Sequence, residues 1–142
     1  MAWFPKNTVV VPIDLSDFSL MALDVALDFV EDASHLHVIH VLREMSPMEP
    51  GVVWGEIDDT SRRIHAEEAI RKRLADPKYK GLIIHILFGN PANQIARYAE
   101  QRGADLIVIH SHGRTGAAHL LIGSVAERVV RHAHCPVLVI RD

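Results

Sequence analysis

The chain has little of what marks the more specialised protein classes. It carries one cysteine, Cys135, in 142 residues, which excludes an intrachain disulfide and suits a reducing compartment. Basic charge is not in excess. Lys and Arg number 15 against 18 Asp and Glu, a formal charge of −3 with histidine neutral, so there is no electrostatic footprint for nucleic acid or an anionic membrane surface. No apolar run reaches the length of a membrane span, and Met1-Ala2-Trp3-Phe4-Pro5-Lys6 lacks the basic stretch and apolar core of a secretion signal. The expected compartment is the cytoplasm. Neither G-x-x-x-x-G-K-[ST] nor G-x-G-x-x-G after a strand occurs, which removes the P-loop and the dinucleotide fingerprint.

What the chain does have is apolar content of 49% with 23% charged residues, enough to exclude disorder as its main state. Residues 1–142 are expected to form a single domain, of a size that buries roughly 70% of the surface its unfolded form exposes. Five short apolar runs recur: Val9 to Ile13, Leu36 to Val41, Leu82 to Leu87, Leu106 to Ile109 and Val137 to Ile140. Most are continuous and rich in Val and Ile, as strands covered on both faces are. Between them lie segments with helical spacing. Leu20, Leu23, Leu27 and Val30 form one stripe, and Ile95 and Ala99 another behind Pro91, a residue suited to a first helical turn. Ile57 to Leu74 predicts a long, largely solvated helix. Ser124 followed by Glu127 predicts a capping box opening a helix through His132. Strands alternating with helices imply right-handed crossovers and a doubly wound parallel α/β sheet. The connection from Arg43 to Gly55, with Pro47, Pro50, Gly51 and Gly55, is longer than most; it is either a lid or a decorated surface loop.

In such a sheet, ligands bind beyond the carboxyl ends of the strands where the strand order reverses. If the first run is central and the fourth lies beside it, Pro12 and Asp14 meet His110 to Gly113 across that crevice. Asp14 is then an acceptor for ligand hydroxyl or amine protons; its local alternative, shared with Asp17, is to cap the following helix. Gly113 and Gly123 permit close backbone approach, and Ser124-Val125 supplies N–H donors at the positive end of a helix. The pattern points to a phosphate-bearing ligand without requiring a lysine.

Gly113, nine residues, then Gly123-Ser124 resembles the G-x2-G-x9-G-[ST] motif of the universal stress protein family. The resemblance covers nearly the whole chain. Val9-Val10-Val11-Pro12-Ile13-Asp14 looks like the opening strand and His40-Val41 like the end of the second. Gly89-Asn90-Pro91 looks like the turn into the third helix, and Cys135-Pro136-Val137-Leu138-Val139 like the closing strand. The resemblance implies a five-stranded sheet of order 3-2-1-4-5 and a homodimer formed through the last strand, with Val137 and Val139 packed across a two-fold axis. It also implies an adenine nucleotide, ATP or AMP, with Pro12, Asp14, Val41 and Ile109 around base and ribose and Gly113, Gly123, Ser124 and Val125 on the phosphates. His110 and Arg114 complete the expected set. A divalent ion such as Mg²⁺ is compatible with Asp14 and a triphosphate. The first motif glycine is replaced by His110, whose side chain either crowds the ribose or points away and leaves the backbone contacts intact.

Two other function classes fit the sequence. A dimeric interaction module without nucleotide is favoured by His110 and opposed by Gly113, Gly123 and Ser124. An enzyme is the third reading: nucleotidyltransferases of related architecture carry an H-x-G-H-type motif after the first strand, but Pro12 to Asp17 holds no histidine. His112 beside Gly113 leaves room for slow hydrolysis. Ten histidines invite a metal, yet His110 with His112, and His132, His134 and Cys135, lack the spacing of H-E-x-x-H or paired C-x-x-C sites. The simpler expectation is that His132 and His134 stand near a helix C-terminus, that His37, His40 and His85 partner buried polar groups, and that Cys135 is a small apolar filler.

Overall fold

The computed structural model describes residues 3–46, 48, 58–111 and 122–141. Its elements alternate: β1 (Val9–Pro12), α1 (Asp17–Leu27), β2 (Leu36–Leu42), α2 (Asp59–Arg73), β3 (Ile83–Phe88), α3 (Pro91–Gln101), β4 (Leu106–His110), α4 (Ser124–His132) and β5 (Val137–Ile140). The strands form one parallel sheet in the order β3-β2-β1-β4-β5. Connections therefore run outward from β1 to β3 and then return to the other side of β1. The order reverses between β1 and β4, as the family resemblance implies.

Because strand side chains alternate in direction, each central strand feeds two cores. Val9, Val11, Leu36, Val38, Leu106 and Val108 pack with Leu23 and Ala26 of α1 and Ile70 of α2. Val10, Ile39, Ile107 and Ile109 pack with Ile95 and Ala99 of α3 and Ala126 and Val129 of α4. The helices were expected from the period of their apolar residues, but their seating differs in detail. In α1 the buried face is Ser19, Ala22, Leu23 and Ala26, not the Leu20–Leu23–Leu27–Val30 stripe. Small residues let the helix approach the sheet, while Leu20, Leu27 and Val30 pack as half-buried flanks. α2 is solvated as expected, with Ile70 its one buried residue.

Helix starts bring two further corrections. Neither Asp14 nor Asp17 caps α1; the N-cap is Ser16, whose Oγ accepts from the Ser19 amide at 3.2 Å. Ser124 does not open a capping box. Gly123 is the N-cap, with its carbonyl accepting from the Glu127 amide at 2.9 Å and no side-chain cap bond. Ser124 is already inside the helix, where its hydroxyl no longer reaches the orphan amides, and Glu127 pairs with Arg131 one turn on. By contrast Pro91 occupies the first turn of α3, behind Asn90 as cap. Of the long connection, Arg43 to Ser46 and Met48 are described; Pro47, Pro50, Gly51 and Gly55 lie outside the described residues.

Candidate functional site

The crevice is built from the carboxyl ends of β1 and β4. Pairing holds β1 against β2 through Pro12 and Ile39, and the ladder extends by one bond, from the Ile13 amide to the Ile39 carbonyl at 2.8 Å. His40 Nδ1 donates to the Ile13 carbonyl at 2.7 Å, so the last turn before Asp14 is fixed from both sides. The chain then reverses through Leu15, a non-glycine residue at φ 67. Left-handed backbone at such a residue costs of order 1–3 kcal/mol and persists where the surroundings over-determine it. Here they do: the Asp14 amide donates to Ser19 Oγ at 3.3 Å, Ser19 Oγ donates to the Ser16 carbonyl at 2.9 Å, and Asp14 Oδ1 accepts from the Ser16 amide at 3.0 Å.

Across the crevice, β4 ends on His110. Its Nε2 stands 3.5 Å from Asp14 Oδ2, with side-chain exposures of 12% for His110 and 43% for Asp14. Burial works to raise the Asp14 carboxyl, but hydrogen bonds from Ser16 and the charge of the His110 imidazole outweigh it. The group sits below its usual value of 3.8 and is ionised at neutral pH.

Ser111 then links the two halves of the site. Its amide donates to the Ile140 carbonyl at 2.9 Å, and its carbonyl accepts from the Gly123 amide at 2.7 Å. That second bond sets the start of α4 beside the end of β4. Ser124 and Val125 are exposed there, and among the described residues no side chain caps their helix. Amides at this position are donors at the positive end of the helix dipole.

Of the residues picked out from the sequence, Pro12, Asp14, His110 and Gly123 converge on the β1–β4 switch, with Ser124 and Val125 at its rim. Val41 lies one strand further out, half-buried, in the core that contains Ile109. Ile109 is 2% exposed and backs that wall from within. Gly113, Arg114 and His112 lie outside the described residues. Sequence reasoning missed Leu15, Ser16, Ser19 and Ser111. For the first three, Asp14-Leu15-Ser16 followed by Ser19 is the sequence of an Asx turn running into a serine cap.

The remaining histidines have neighbours of other kinds. His37 Nδ1 lies 2.8 Å from the Tyr98 hydroxyl, and Arg102 Nη2 donates to His85 Nε2 at 3.4 Å. His134 pairs with Glu100 at 3.4 Å. Cys135 is half-buried, and burial pushes its thiol up. Among the described residues no three His, Cys, Asp or Glu side chains gather as metal ligands.

Residues 6–141 match the universal stress protein family. The chain belongs to that family. A universal stress protein of Methanocaldococcus jannaschii is 38% identical over 138 residues, covering 94% of this chain and 81% of that protein. The solved structure of UspA from Lactobacillus plantarum is similar with a TM-score of 0.74 and 31% identity, over 96% of this chain and 99% of that one. A universal stress protein solved in complex with cAMP is similar with a TM-score of 0.63 and 25% identity, over 96% of this chain and 98% of that one. The sheet order 3-2-1-4-5 is that of the family fold. Among the described residues no helix is long and apolar enough to cross a membrane.

Proposed function

We propose that this universal stress protein binds an adenine nucleotide, ATP or AMP, in the β1–β4 crevice and works as a dimeric stress-response module that senses its ligand. The observation that carries the reading is the bond from the Gly123 amide to the Ser111 carbonyl. It holds a helix start that no described side chain caps at the point where the strand order reverses, and an ionised carboxylate, Asp14, stands on the opposite lip. Phosphate oxygens suit the amides of α4; ribose hydroxyls or the adenine amino group suit Asp14. Val41, half-buried in the core that contains Ile109, offers apolar surface for the base. Gly123, Ser124 and Val125 are the described part of the phosphate contact, and Mg²⁺ is compatible with a triphosphate held there. A relative solved with cAMP, which combines adenine, ribose and phosphate, supports this ligand class.

β5 is an edge strand, with Val137 and Val139 half-buried on it, and we assign the dimer contact to this edge. A Val139→Lys variant is expected to be monomeric at micromolar concentration by analytical ultracentrifugation, since an unpaired ammonium at a subunit contact is costly to desolvate. A variant that stays fully dimeric contradicts the assignment.

One observation favours the second reading, an interaction module without nucleotide: His110 already stands against the carboxylate a ligand would use. Denaturing extraction of freshly purified protein, followed by mass analysis of what is released, separates the two. Recovery of ATP, ADP or AMP supports the first reading, as does stabilisation by roughly 2.7 kcal/mol when added nucleotide reaches a hundredfold excess over Kd. An empty protein that millimolar nucleotide does not stabilise supports the second.

A further inference from the structure

We propose that His110 sets the affinity of the crevice by competing with the ligand for one oxygen of Asp14. The inference rests on the nucleotide reading above and concerns the regulation of that same site. Asp14 has two carboxylate oxygens, and the fold gives each a neighbour. Oδ1 accepts from the Ser16 amide at 3.0 Å, a bond built into the turn that precedes α1. Oδ2 faces His110 Nε2 at 3.5 Å. The first partner is backbone within the turn; the second is a side chain on another strand.

A ligand hydroxyl or amine that takes Asp14 as acceptor therefore has to share Oδ2 with the imidazole or displace it. The exchange is balanced in kind, because a charge-assisted bond of about 2.7–2.9 Å to the ligand replaces a longer contact within the protein. Its cost is the loss of the imidazole from a place where it is mostly covered. The consequence is a site in which the protein carries its own competitor at the position where the family motif has glycine. Such a site exchanges ligand more readily than one whose acceptor stands open, and so follows the free nucleotide concentration instead of retaining ligand.

The competition is specific to one pair of side chains, so a double-mutant cycle reads it. ATP dissociation constants are measured by calorimetry for the wild type, His110→Gly, His110→Gln, Asp14→Asn and the two combinations with Asp14→Asn; His110→Ala serves where the glycine variant does not fold. His110→Gly is expected to tighten ATP about tenfold, and His110→Gln, which keeps an N–H donor, to stay within about threefold of the wild type. With Asp14→Asn already in place, His110→Gly is expected to change nothing, because the contested charge is gone. Equal or weaker binding after His110→Gly overturns the inference, as does tightening of the same size with and without Asp14→Asn. If the wild type binds ATP and removal of the imidazole leaves Kd unchanged, the His110 inference alone falls. If no protein in the set binds, the nucleotide reading falls with it.

Discussion

Helices α3 and α4 cover the same face of the sheet and begin in opposite ways. α3 closes its own start: Asn90 Oδ1 accepts from the Asn93 amide at 3.2 Å, Pro91 fills the first turn, and five residues are buried beneath it. α4 starts on Gly123 with no side-chain cap and buries Ala126 and Val129. Among the described residues, α1 and α2 side with α3, since Ser16 caps α1 and Asp58 caps α2. Among the described residues, then, side chains cap three helices and not α4. The exception stands where the strand order reverses, and the proposed nucleotide would there put a phosphate in the part that Asn90 plays at α3.

The largest expected effect comes from making α4 resemble α3. Gly123 has φ −57 and ψ 151, a backbone any residue adopts, so Gly123→Asp introduces a carboxylate cap without backbone strain. It should raise folding stability by a few tenths of a kcal/mol while weakening ATP binding by at least about 100-fold, roughly 2.7 kcal/mol, because the cap occupies the phosphate position. Urea unfolding and calorimetry read the two effects separately. The converse change, Asn90→Ala, should cost about 1 kcal/mol of stability and leave nucleotide affinity alone.

A smaller effect sharpens the contrast through pH. Tyr98 and Arg102 of α3 and its C-cap meet His37 and His85 on the sheet. Burial holds both imidazoles below their usual value of 6.5, Arg102 adding to the effect at both, His85 adding to it at His37 and Glu67 opposing it at His85. With folded values lowered, the unfolded chain binds protons more readily. This contribution to stability is fully present above about pH 6.5 and is lost as pH falls through the folded values. Both rings are partly exposed, so solvent screens the effect, and urea midpoints should decline modestly on acidification. The smallest change is Ser124→Ala, which should stay within about 0.5 kcal/mol of the wild type in the absence of nucleotide, since no cap bond is lost. A loss near 1 kcal/mol would restore the capping box that the geometry removes.

Much of this was legible in the residues. Val- and Ile-rich runs located all five strands to within a residue or two, because strands covered on both faces are apolar at most positions. The sheet order came with the family resemblance. What pattern reading could not supply was the choice among equivalent local options. Ser16 and Asp17 are both competent caps, and only the turn at Leu15 decides between them. Ser124 and Glu127 have the spacing of a capping box, yet the Ser111 to Gly123 bond sets the helix start one residue earlier. Pro12, Asp14 and His110 stand together at the β1–β4 switch, with 96 positions separating the last two. That the carboxylate and imidazole stand 3.5 Å apart depends on the parallel register of β1 and β4, which no local spacing encodes.

The most direct test of the account is a residue-resolved amide shift map recorded while the protein is titrated with ATP. It predicts the largest shifts at Val125 and Ala126 at the start of α4 and at Asp14 and His110 across the crevice, with Ala92 and Asn93 at the start of α3 undisturbed. Shifts spread evenly over both helix starts, or none up to millimolar ATP, would contradict it.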